Sequence, residues 1–82
     1  MSMTKVVDKA PRISFNPNVM QGQACIKGTR VTVSTIIEIL AEGHSKQEVL
    51  DAYPHLEMAD IEEALRFASI NLHESEYELI PA

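Results

Sequence analysis

The sequence predicts a mainly α domain, three short helices preceded by short N-terminal β-strands. Three observations carry that expectation. Apolar residues recur at helical spacing in three separate stretches beginning near Val33, Val49 and Ile61. Gly43 and Pro54 punctuate those stretches where a helix would stop. Ahead of them, residues 12–32 alternate apolar and polar positions between turn-forming clusters.

Taken in order, residues 1–11 mix charged and small side chains and run to Pro11, the composition of a flexible N-terminal arm. Ile13-Ser14-Phe15 fits a short strand, and Asn16-Pro17-Asn18 closes it with turn chemistry. Gln21-Gly22-Gln23 reads as a second turn. From Ala24 to Thr32 the chain can form an extended, half-buried element, with Gly28 placed where a positive φ is cheapest.

The first helix is expected over residues 33–42, with Val33, Ile36, Ile37, Leu40 and Ala41 on one face and Gly43 just past its end. Ser45-Lys46-Gln47-Glu48 has capping-box spacing and opens the second helix, which Pro54 ends. The third helix is expected over residues 58–74, with Ile61, Ala64, Leu65, Ala68 and Leu72 as its apolar stripe. Glu57 and Met58 make a poor start for it, since neither is a good N-cap. Glu62 and Arg66 sit at i,i+4, the spacing of a surface ion pair. Residues 75–82 form a C-terminal tail, acidic with interspersed Tyr77, Leu79 and Ile80. The organisation is therefore an arm at 1–11, one β-plus-three-helix domain at 12–74, and a tail at 75–82.

Composition narrows the functional classes. Eighty-two residues with 45% hydrophobic content suit one folded domain with a small core. Such a core is often completed by a partner, so a homodimer is expected. No stretch is long and apolar enough to span a membrane, and Met1–Asp8 lack the apolar run of a signal peptide. One cysteine allows no internal disulfide, which fits a reducing compartment; a cytoplasmic protein with no membrane partner is expected.

The net charge of −5 is unevenly spread. Through Thr35, five Lys and Arg face Asp8 alone; from Ile36 onward, Lys46 and Arg66 face eleven acids. Any contact with a phosphate backbone should come from the front half. His44, His55 and His73 form no metal-ligand spacing, Cys25 has no neighbouring histidine, and no phosphate-binding glycine loop is present. An enzyme is not expected, and no cofactor is implied.

Recognition remains. Lys27, Thr29 and Arg30, with Arg12 and Lys9, are the candidate nucleic-acid contacts; Arg30 could meet a phosphate or base edge, or anchor the β-element to a carboxylate such as Asp60. A trihelical unit of this size commonly contains a helix-turn-helix. The third helix, however, opens with Glu57, Asp60, Glu62 and Glu63, which disfavours it as a DNA reader. Arg66, Tyr77, Leu79 and Ile80 are the candidate partner contacts.

The order Gly22-x-x-x-Ile26-Lys27-Gly28-Thr29-Arg30-Val31-x-Val33, then Tyr53-Pro54-x-Leu56, then Asp60-Ile61-x-x-Ala64-Leu65 resembles domain-of-unknown-function family 433. That family includes VapB-type antitoxins encoded beside PIN-domain ribonuclease toxins. Ala24 and Glu57 depart from the family pattern, which has proline and threonine there. The resemblance implies a homeodomain-like trihelical (helix-turn-helix-like) domain. It also implies a type II antitoxin that binds a PIN-type toxin and its own operator DNA. Two alternatives stand beside it: a DNA-binding regulator without a toxin, and a small dimeric interaction module.

Overall fold

The computed structural model describes residues 5–7, 9–73 and 81. Strands β1 (Lys5–Val7), β2 (Ala10–Phe15) and β3 (Cys25–Ile26) precede helices α1 (Val33–Ala41), α2 (Lys46–Ala52) and α3 (Met58–His73). A single 3-10 turn, Met20–Gly22, lies between β2 and β3. The three strands form one antiparallel sheet in the order β1-β2-β3. Strand β1 pairs Lys5 with Phe15 and Val6 with Ser14, and a bulge shifts the register before Val7 meets Ala10. Ordered strand therefore occupies part of the stretch whose composition suggests an arm, and Ala10 is fully buried.

The extended element expected from Ala24 to Thr32 is two short pieces around a turn. Ile13 pairs with Ile26, and Cys25 bridges to Thr32. Between them the Thr29 amide donates to the Ile26 carbonyl at 3.0 Å, closing a four-residue turn with Gly28 at φ +80°. No atom crowds the place a Cβ would take at Gly28, so the left-handed φ is the constraint there.

Each helix ends as its local sequence dictates. Thr32 caps α1 through its hydroxyl, which accepts from the Thr35 amide at 3.1 Å. At the other end the Gly43 amide donates to Leu40 and the His44 amide to Ile39, the double bond pattern that a left-handed C′ residue permits. Ser45 and Glu48 make the complete capping box of α2. Helix α3 solves the start that the sequence leaves open: the Asp60 carboxylate reaches back and accepts from the Glu57 amide at 2.8 Å.

The core lies where the three helices meet the sheet. Its largest fully buried side chains, Ile13, Ile36, Val49 and Ile61, come one each from β2, α1, α2 and α3. Removing any one element therefore opens the same core. Tyr53 packs half-buried against this cluster. Among the described residues no helix is long and apolar enough to cross a membrane.

Candidate functional site

The turn at 27–30 separates two clefts of different chemistry. On one side, about 360 Å³ is bordered by Ser14, Asn16, Cys25, Thr29 and Arg30. Arg30 is the one charged group in that lining, it is exposed, and it forms no ion pair among the described residues. Cys25 is buried, and burial pushes its thiol pKa up, so the neutral thiol persists at neutral pH and the side chain behaves as a small hydrophobe.

The cleft on the other side, about 440 Å³, holds Arg12, Lys27, His55, Glu57 and Asp60. Here the charges pair internally. Arg12 Nη1 donates to Asp60 Oδ1 at 3.0 Å and lies 4.0 Å from Glu57 Oε1. The hydrogen bond to Asp60, reinforced by the nearby carboxylates, raises the Arg12 pKa above its ordinary value. The Arg12 backbone is fixed too: its amide donates to the Glu63 carboxylate, and its carbonyl accepts from the Lys27 amide at 2.7 Å. Asp60 and Glu63 are buried acids of α3 that face β2 instead of solvent.

These contacts redistribute the roles read from the sequence. Asp60 is anchored by Arg12 rather than by Arg30, because β2, which carries Arg12, is the strand that packs against α3. A phosphate approaching Arg12 would have to compete with two carboxylates already beside it. Thr29 is half-buried, and its hydroxyl is engaged in the turn, donating to the Ile26 carbonyl at 2.8 Å and accepting from the Val31 amide at 3.0 Å. Lys27 and Lys9 are exposed. Arg66 lies 3.9 Å from Glu63, three residues back, and so pairs there instead of with Glu62. Tyr77, Leu79 and Ile80 lie outside the described residues.

Sequence reasoning missed the clamp at Arg12. Its one signal was the pair of acids at Asp60 and Glu63, spaced to share a helix face that also carries Ile61 and Ala64. Among the described residues no group of three or more His, Cys, Asp or Glu is placed to hold a metal ion. His44 Nδ1 and Glu48 Oε2 are 3.1 Å apart, an exposed i,i+4 contact beside the α2 capping box.

A protein of Sinorhizobium fredii (strain NBRC 101917 / NGR234), "Uncharacterized protein y4eO", is 32% identical over 59 residues, which cover 72% of this chain and 27% of that protein. The chain thus matches only about a quarter of the length of this curated relative. No solved structure matches. The model of the family "Protein of unknown function (DUF433)" matches residues 13–68, from the buried strand residue Ile13 to Ala68 of α3, and the chain belongs to that family.

Proposed function

We propose that this chain is a non-catalytic recognition module of the type II antitoxin kind. In this reading it is a cytoplasmic protein that contacts operator DNA through the turn at 27–30. It binds a PIN-type ribonuclease through Arg66 and through Tyr77, Leu79 and Ile80, the apolar residues of the acidic tail. The observation that supports it best is the placement of Arg30: an exposed cation that forms no ion pair among the described residues, beside hydroxyl and amide groups, in a cleft without a carboxylate among its described lining residues. Such a group meets phosphate without displacing an internal partner. The α1–α3 unit would serve as a homeodomain-like, helix-turn-helix-like support, with α3 a packing helix because Asp60 and Glu63 are turned onto β2.

Two measurements test the reading. Retardation of the DNA upstream of the gene should weaken steeply with salt, and Arg30→Ala combined with Lys27→Ala should lower affinity about tenfold or more, with unchanged thermal unfolding. Co-expression with a PIN-type nuclease encoded beside the gene should yield a co-purifying complex. Absence of both results overturns the proposal. A second reading, a small homodimeric interaction module, is favoured by the uncovered apolar surface between α1 and α3. It predicts a stable dimer by light scattering with neither DNA nor nuclease binding.

A further inference from the structure

Strand β2 sends its side chains alternately to the two faces of the sheet. Ile13 enters the core and the Phe15 ring meets Phe67 of α3, so Ser14 lies on the face turned away from the helices. There it pairs in register with Cys25 of β3, and both border the cleft that Arg30 also lines. Ser14 is only 5% exposed. A hydroxyl so far from water is costly unless something bonds it. Yet among the described residues no side-chain hydrogen bond reaches Ser14 Oγ. Every fully enclosed side-chain oxygen among those residues has a partner, so an unbonded Oγ has to open onto the cleft.

The neighbouring polar groups are engaged elsewhere. The Thr29 hydroxyl donates its proton to the Ile26 carbonyl at 2.8 Å, and Asn16 Oδ1 accepts from the Asn18 amide at 2.9 Å. Burial keeps Cys25 a neutral thiol. Ser14 therefore holds the one uncommitted hydroxyl proton in the described lining, and Arg30 the one charge. A neutral donor on the floor and a cation at the rim suit an anion whose oxygens diverge. A planar carboxylate points both oxygens the same way and would be taken whole by the guanidinium fork. A tetrahedral phosphate can fill that fork and still turn another oxygen to the floor.

We propose that this cleft seats a single phosphate group, Arg30 holding it from the rim and the Ser14 hydroxyl donating to it from the floor. That the phosphate belongs to a DNA backbone rests on the operator-binding reading above; free phosphate carries the same oxygens and tests the seat without it. Arg30 brings charge and Ser14 brings none, so the two leave different marks on binding. Losing Arg30 reduces the number of counterions released, whereas losing Ser14 weakens binding equally at every salt concentration.

The first arm titrates the full nitrogen-15-labelled chain with inorganic phosphate at constant ionic strength. Saturable amide shifts are expected around Ser14, Cys25 and residues 28–30, lost in Arg30→Ala and weakened severalfold in Ser14→Ala. The second arm measures retardation of the upstream DNA across a salt series. Ser14→Ala should lower affinity about tenfold with the salt slope unchanged, while Arg30→Ala should reduce the slope by about one. Absence of saturable shifts in the cleft overturns the proposal, as does wild-type DNA affinity in Ser14→Ala, which would leave the operator reading intact. Saturable phosphate shifts without any DNA retardation support the seat and overturn the operator reading instead.

Discussion

The two ends of α3 are held by opposite means. Its first two turns are fastened to the sheet by charge: Asp60 joins the Glu57 amide to the Arg12 guanidinium, and Glu63 receives the Arg12 amide. Its last two turns carry Phe67, Ala68 and Leu72 along an open apolar groove. The polar end is saturated; no buried side-chain nitrogen or oxygen among the described residues lacks a partner. The apolar end is unfinished. A helix that is acidic in sequence is therefore acidic for an internal reason at one end and available for docking at the other.

The strongest way to break the comparison is through the core beneath the polar end. Ile61, between Asp60 and Glu63 in the chain, is fully buried, and Ile61→Ala should cost about 2–5 kcal/mol in urea unfolding, a large share of the stability of a domain this small. Next comes the polar end. Asp60→Ala removes both the cap of α3 and its clamp to β2, for an expected loss of about 1–3 kcal/mol. Arg12→Ala should be milder, because Asp60 still caps Glu57. A double-mutant cycle over Arg12 and Asp60 measures their coupling, and a value near zero would mean that the clamp adds nothing to the cap.

The smallest effect separates α3 from α2. Backbone hydrogen bonding from Ser45, aided by His44, lowers the pKa of Glu48 below its ordinary value. As pH falls, the unfolded chain takes up that proton first. The stabilisation is thus complete above the ordinary glutamate pKa and is lost as pH drops through the lower folded-state value. Glu48→Gln should lower the Tm by a few degrees at neutral pH and flatten its dependence on acid, as followed by circular dichroism melts.

The same contrast explains what was legible in the sequence. The α2 capping box, the Gly43 stop and the left-handed Gly28 each depend on residues within four or five positions, and each is where local chemistry puts it. The three helices follow from their spacing for the same reason. The role of Asp60 is different, because its partner is 48 positions away and no local rule chooses Arg12 over Arg30. Glu57 reads as a weak N-cap since its own side chain is considered; the cap arrives from Asp60, three residues later. Of the candidate site, Arg30 and Lys27 are exposed, while Thr29 and Arg12 are engaged by neighbours.

The doubly tied backbone of Arg12 has a consequence for how the domain assembles. Its amide is satisfied by a helix side chain 51 positions along the chain, and its carbonyl by the first residue of the 27–30 turn. The β2 strand thus cannot complete its hydrogen bonding until α3 has arrived. Closing so long a loop is entropically costly relative to forming α1 or α2, whose bonds are local. The hydrogen bonds of α1 and α2 close within each helix, while β2 and α3 complete theirs only against each other.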